Sequence, residues 1–119
     1  MNKIMTLEEA IKAREGCKLV VTNGCFDILH KGHVMCLNNA KRNGYKLFVL
    51  LNSDESVRKL KGSERPINNE QDRAYMLANL ECVDGVITYP DGECEPYKQI
   101  AEALVAADFT NWEIISDNG

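Results

Sequence analysis

Apolar residues along this chain fall into two alternating patterns. Leu19 to Val21 is a short apolar run and Lys46 to Leu51 (K-L-F-V-L-L) a continuous one, as expected of a strand covered on both faces, and Val83 to Tyr89 is predicted to form a third strand. Between them, apolar positions recur three and four residues apart, the spacing of helices that bury one side. Thr6-Leu7-Glu8-Glu9 is a capping-box pattern that opens a short helix ending near Arg14. The pattern then predicts a strand over Lys18 to Thr22 and a helix over Gly32 to Arg42, closed by Asn43-Gly44. After the Lys46 to Leu51 strand, Asn52-Ser53-Asp54 supplies a loop and N-cap for a helix over Glu55 to Leu60. Gly62 and Pro66 make Lys61 to Asn68 a loop, and a helix follows over Asn69 to Glu81. Pro96 starts another helix, whose Tyr97, Ile100, Ala101, Leu104 and Val105 share one face, and Trp112 to Ile115 is a fourth strand.

Strands alternating with helices predict an α/β fold, a Rossmann-like parallel sheet with helices on both faces. In such sheets ligands bind beyond the carboxyl ends of the strands, where the strand order reverses. The loops after the first two strands are therefore the place to look for chemistry. At 119 residues and 45% apolar content, the chain is expected to form a single domain over residues 1–119. Its net charge of −4 argues against nucleic-acid and acidic-membrane partners. There is no charged-then-apolar leader, and no apolar run nears the ~18 residues of a membrane span, so a cytoplasmic location is expected. Cys17, Cys25, Cys36, Cys82 and Cys94 are scattered without a C-x-x-C pair, so they read as reduced thiols.

The loop after the first strand reads T-N-G-C-F-D-I-L-H-K-G-H, Thr22 to His33. A glycine-bearing loop between a strand and a helix presents backbone N–H groups and a positive helix end to a phosphate. With the helix starting near Gly32, His30 lies just ahead of it and His33 in its first turn, so both rings converge on one anion. Gly32 lets the backbone approach without a Cβ in the way. Thr22 and Asn23 supply either loop donors or purely structural bonds. Asp27 is read as orienting a histidine or the loop backbone, with a turn-satisfying role as the alternative. From Arg58 to Arg73, five basic residues face three acidic ones. A positive segment on an acidic protein suits a compact polyanion. Lys59 and Lys61 are the better candidates there, while Arg58 and Arg65 read equally well as solvated charges. Arg73 precedes Met76, Leu77 and Leu80 by three, four and seven residues, which places it on the inward stripe of its helix. An inward guanidinium needs an anionic partner. Either a structural carboxylate such as Asp54 or a bound phosphate supplies it. The chain has no P-loop, no G-x-G-x-x-G, no H-E-x-x-H and no hydrolase triad order.

At these residues the chain resembles the cytidylyltransferase-like family of nucleotidyltransferases, which pairs G-x-F-D-x-x-H-x-G-H with a later arginine-bearing helix. N-S-D-E-S-V-R-K-L-K-G-S-E-R-P-I and D-R-A-Y-M-L-A-N-L-E-C-V-D carry the resemblance onward, so that it spans Val20 to Tyr89. The resemblance implies transfer of a nucleoside monophosphate from a nucleoside triphosphate to a phosphorylated sugar or polyol, with release of pyrophosphate. The likeness is strongest to members that use ATP and heptose 1-phosphate, and members using CTP and glycerol 3-phosphate come next. It implies that Thr22, Asn23, Gly24, Cys25, Phe26, His30, Gly32 and His33 surround the nucleotide. It further implies that Asp27, Asp54, Lys59, Lys61 and Arg73 bind substrate, and that His30, His33, Lys61 and Arg73 carry the reaction. Mg²⁺ is expected to arrive on the triphosphate rather than in a metal site of the protein. Members of the family are often homodimers. They continue through a K-G-G-D-like segment to a Ser-Thr-Thr motif that completes the nucleotide pocket. Here Ala107 to Gly119 reads A-D-F-T-N-W-E-I-I-S-D-N-G, so the fold is expected to be shortened at its C-terminal side, with Ser116 to Gly119 approaching that motif. A nucleotide-binding module without catalysis is the alternative of another class.

Overall fold

The sheet is built from the apolar runs, and each run divides its side chains between two cores. A computed structural model describes residues 3–88 and the backbone of residues 114–117. In chain order the elements are α1 (Leu7–Ala13), β1 (Lys18–Gly24), α2 (Lys31–Ala40), β2 (Tyr45–Leu51), α3 (Asp54–Lys61), α4 (Glu70–Ala78), β3 (Gly85–Thr88) and β4 (Ile114–Asp117). All strand pairs are parallel, in the order β3-β2-β1-β4. The chain therefore steps outward from β1 through β2 to β3 and then returns to the other side of β1. That reversal beside β1 is the switch point at which open parallel sheets bind ligands.

Successive residues of a strand point to opposite faces. Leu19 and Val21 of β1, with Phe48 and Leu50 of β2 and Ile87 of β3, pack on Ala10 of α1. Val20, Leu47, Val49, Leu51 and Val86 pack on Leu37 and Ala40 of α2 and on Ala74 and Leu77 of α4. Helices thus lie on both faces, and this is why β2 reads as an unbroken apolar run rather than an alternating one. Thr6 caps α1 through the expected reciprocal bonds with Glu9, at 2.9 and 3.2 Å.

Several boundaries differ from the sequence expectation. β1 runs two residues further, to Gly24, because its ladder with β2 continues to the Gly24–Leu51 pair. α2 stops at Ala40, and Gly44, with φ of 81°, turns the chain into β2 instead of capping the helix. α4 ends at Ala78, where the N–H of Asn79 folds back onto the last carbonyls. The fourth strand lies two residues later than expected, at Ile114–Asp117. Segment 3–5 runs beside β3 through Met5 N–H to Val86 O (2.9 Å) and Val86 N–H to Lys3 O (2.8 Å), a pairing the patterns did not suggest. Tyr89, Cys94 and the helix expected from Pro96 lie outside the described residues. Cys17, Cys25, Cys36 and Cys82 are free thiols. Among the described residues, no helix is long and apolar enough to cross a membrane.

Gly85 opens β3 where a Cβ would meet the Met5 methyl and, at 2.9 Å, Cδ1 of Phe48. Gly85→Ala is expected to destabilise the fold by about 1–3 kcal/mol, several degrees in the thermal midpoint. A melt followed by circular dichroism reads this out, and an unchanged midpoint contradicts the tight contact.

Candidate active site

The four strands end level with one another, since Gly24 pairs with Leu51 and Asp117, and Leu51 with Thr88. The loops after β1 and β2 consequently emerge together at one edge. Cys25 and Phe26 turn the chain out of β1, and Phe26 does so with φ of 46°, a left-handed conformation that a bulky residue adopts only under constraint. The Phe26 ring is buried and meets the His33 ring edge-on, with centroids 5.3 Å apart.

His30 is the N-cap of α2. Its Nδ1 accepts from the Gly32 N–H at 3.0 Å, while its own backbone N–H donates to Nδ1 of His33 at 3.2 Å. Each ring thus replaces the hydroxyl or carboxylate of an ordinary capping box. Because both Nδ1 atoms accept, each neutral ring carries its hydrogen on Nε2. The rings stack at a centroid distance of 3.9 Å, 28° from parallel. His33 is buried and His30 exposed, so a ligand reaches the pair from one side. A Cβ on Gly32 would fall 2.8 Å from Cε1 of His30. The glycine therefore makes room for the histidine ring, a reason the spacing alone did not reveal. Two Nε2–H donors at the positive end of a helix form an anion-binding arrangement.

Arg73 is 2% exposed and is spent within the protein. Its Nη1 donates to the carbonyls of Cys25 and Asn52, both at 2.8 Å, its Nε to Asn68 O at 2.9 Å, and its Nη2 to Asp54 Oδ1 at 2.7 Å. Of the two partners open in the sequence, the structural carboxylate is the one present. The guanidinium is enclosed, and four of its five N–H groups are in use on these acceptors. Asp54, the first residue of α3, is spent on the same pair, and its N–H donates to Glu70 at 3.0 Å.

Asp27 does not touch a histidine. Its buried carboxylate accepts from the N–H groups of Ile67 and Asn68, at 2.9 Å each, and from Arg65 Nε at 2.6 Å, while Asn68 Nδ2 donates back to Asp27 O at 2.7 Å. It fastens the α3–α4 loop to the histidine loop, so it orients loop backbone as the first reading had it, though through a neighbouring crossover. Burial pushes the carboxyl upward, but the donors on Asn68 and Ile67 and the Arg65 guanidinium outweigh it and hold the group below its ordinary value.

Thr22, Asn23 and Gly24 belong to β1, in register with both β2 and β4. Their backbones are committed to the sheet, so the loop proper starts at Cys25 and not at Thr22. Lys61 is the last residue of α3 rather than part of a loop, and Lys59 and Lys61 follow Asp54 by five and seven residues on that helix. Three contact groups emerge: the histidines with Gly32 and Phe26, Arg73 with Asp54 and the Cys25 carbonyl, and Asp27 with the 65–68 loop. The sequence reading gave Asn52 and Asn68 no role at the site, whereas it placed the N-cap of the third helix within Asn52-Ser53-Asp54. Ser53 is the buried N-cap of α3 and accepts from Ser56 N–H at 3.2 Å. A Ser before an acidic first turn was a usable signal for it, whereas the carbonyls of Asn52 and Asn68 had none. A cleft of about 450 Å³ lies behind the histidine loop, between Phe26–Leu29 and the α4 residues Asp72, Tyr75 and Met76. The histidines and lysines are not among its lining.

The profile of the cytidylyltransferase-like family matches residues 21–116. The chain belongs to the cytidylyltransferase-like family. It is 48% identical over 118 residues to the bifunctional protein HldE of Helicobacter pylori strain P12, a match covering 95% of this chain and 25% of that protein. It is 56% identical over 85 residues to the HldE of Aliarcobacter butzleri strain RM4018, covering 71% of this chain and 17% of that protein. The chain thus spans about a quarter of the length of the Helicobacter relatives it matches. A lipopolysaccharide core biosynthesis protein from Thermoplasma volcanium shares the fold, with a TM-score of 0.61 at 24% identity over 86% of this chain and 98% of that one. The match of this cytidylyltransferase-like chain takes in the histidine loop, α3 and α4 together, which are the three segments that form the contact groups above.

Because the Asp27 carboxyl is held below its unfolded value, its contribution to stability is complete above the ordinary carboxylate range. That contribution is lost as pH falls through the lowered folded value. Asp27→Asn is expected to cost about 2–3 kcal/mol at neutral pH, and the gap from wild type is expected to close as pH falls below about 4. Urea denaturation across a pH series measures the gap, and a constant offset at every pH contradicts the assignment.

Proposed function

We propose that this chain transfers the adenylyl group of ATP to the phosphate of a sugar 1-phosphate, heptose 1-phosphate, releasing pyrophosphate. The observation that carries the reading is the pair of stacked imidazoles, each pinned by Nδ1 to backbone N–H, with both Nε2–H donors at the start of α2. Membership of the cytidylyltransferase-like family and the HldE likeness support the reaction class and the acceptor.

The chemistry follows from charge. An oxygen of the acceptor phosphate attacks the α-phosphorus, a new P–O bond forms, and the bond to the β-phosphate oxygen breaks, so pyrophosphate departs. The acceptor is already anionic at neutral pH, so no strong general base is required. Catalysis then rests on in-line positioning and on donors placed where negative charge grows. His30 and His33 donate through Nε2–H to oxygens around the α-phosphorus. Lys59 and Lys61 neutralise the phosphates, and Arg73 and Asp54 hold the two loops in place as positioning residues. Mg²⁺ carried by the ATP would neutralise charge on the transferring phosphates, while Asp27 and Asp54 order the loops around them.

Purified chain with ATP, Mg²⁺ and heptose 1-phosphate is expected to release pyrophosphate in a coupled phosphate assay. His33→Ala is expected to lower turnover by roughly 10²–10³. No pyrophosphate with any of the four nucleoside triphosphates, across sugar 1-phosphates and glycerol 3-phosphate, overturns the proposal. Gly32→Ala, which drives a methyl against the His30 ring, is expected to lower turnover about tenfold or more while leaving far-ultraviolet circular dichroism unchanged. Wild-type turnover in that variant contradicts the role given to ring placement.

A further inference from the structure

Two arginines stand in the clasp at the carboxyl edge of the sheet, and their surroundings differ. Arg73 is enclosed and uses four N–H groups on protein acceptors. Arg65 keeps 34% of its side chain exposed and, among the described residues, spends one side-chain N–H, from Nε to Asp27 Oδ2. A guanidinium has five such donors in a rigid plane, and fixing Nε fixes the direction of the other four. Asp27 is itself immobile, because its carboxylate is 1% exposed and is clamped by the backbone N–H groups of Ile67 and Asn68. Those two donors already satisfy the carboxylate in large part, so a guanidinium is more than the loop needs to stay docked. Asp27 sits three residues before His30, and Arg65 four residues after Lys61. The planar fork is therefore hung from the loop that ends in the histidine cap, on the crossover that follows the lysines.

We infer that Arg65 is a phosphate-contacting residue of this site, and that Asp27 is the positioning residue that aims its guanidinium. The inference rests on the nucleotidyl-transfer reading for its ligand, which is a phosphate group. Either the polyphosphate of the nucleotide or the acceptor monoester presents the paired oxygens that a guanidinium fork matches.

Binding to the full chain by titration calorimetry separates the sources, with inorganic tripolyphosphate and ATP in one arm and glucose 1-phosphate in the other. Arg65→Gln is expected to weaken one arm by roughly 10- to 100-fold and leave the other within about threefold. Arg65→Lys keeps the charge but not the fork, and is expected to lose roughly fivefold or more in the same arm. Asp27→Asn, which leaves Arg65 unaimed, is expected to weaken that arm too. Thermal midpoints are recorded alongside, because a purely structural clasp lowers the midpoint and leaves affinity unchanged. That result in Arg65→Gln, or in Arg65→Lys where the glutamine variant does not fold, overturns the inference while His33→Ala still abolishes binding. Wild type that binds tripolyphosphate but never turns over sinks the transferase reading and leaves Arg65 standing. Wild type that binds neither class of phosphate overturns both.

Discussion

Three crossovers at the carboxyl edge of this sheet are tied together by one buried cation. The Arg73 guanidinium reaches the carbonyls of Cys25 and Asn52, which leave β1 and β2, and that of Asn68, just ahead of α4. The Cys25 and Asn52 carbonyls close the loops where the ladder stops, and burying them without donors would cost about as much as a lost hydrogen bond each. Arg73 satisfies all three and is in turn neutralised by Asp54. A buried cation is tolerable only when paired and fully hydrogen-bonded. Removing Arg73 therefore would orphan one carboxylate and three carbonyls from three crossovers at once. The loops that must cooperate are thus fixed relative to one another before any ligand arrives, and in phosphoryl transfer such fixing is most of what a protein contributes.

The same economy governs the histidine loop. Ordinary capping boxes use Ser, Thr, Asp or Glu side chains, which end their work at the cap. An imidazole has a second nitrogen, so a ring can close the helix with Nδ1 and still point a donor outward with Nε2. His30 and His33 both close the helix with Nδ1, the Nε2 of His33 lying buried, and the His33 ring is braced by Phe26 at 5.3 Å. The left-handed Phe26 backbone is what turns that ring beneath the histidine, and the Arg73 bond to the adjacent Cys25 carbonyl holds the turn. A strained residue at the site and a structural cation beneath it are parts of one device.

The sheet, the helices on both faces and the strands' shared edge were legible in the sequence, because apolar periodicity reports burial directly. The place of His30 just ahead of its helix and the inward Arg73 followed from spacing within one helix or loop, and Asp54 was one of two partners left open for that arginine. What was not legible depends on distances between segments far apart in sequence. Asp27 and Asn68 are separated by 41 positions, and no local pattern says that the carboxylate of one meets the N–H of the other. An inward Arg73 called for an anion, and sequence does not count the three carbonyl oxygens that also accept from it. Lys61 was placed in a loop because Gly62 follows it, yet a helix extends to the residue before such a break. The two extra residues of β1 were missed because Asn23 and Gly24 are poor strand formers, and ladder pairing on both sides outweighs that preference.

Charge is distributed so that the most enclosed cation among the described residues, Arg73, supplies rigidity while more exposed cations supply attraction. Arg73 and Asp54 cancel, as do Asp27 and part of Arg65, and those pairs lie in the interior or against it, where they order backbone. Lys59 and Lys61 stand further along α3, and in its last turn they also favour the negative end of that helix. An acidic protein of net −4 with a net-positive crossover draws a polyanion to that crossover rather than to its whole surface. If the enclosed Arg73–Asp54 pair also served as a ligand contact, binding would have to break the bonds that fix the loops, and affinity would be gained at the expense of geometry. Keeping that pair apart from the ligand lets a phosphate be gripped while the loops beneath it stay where the fold put them.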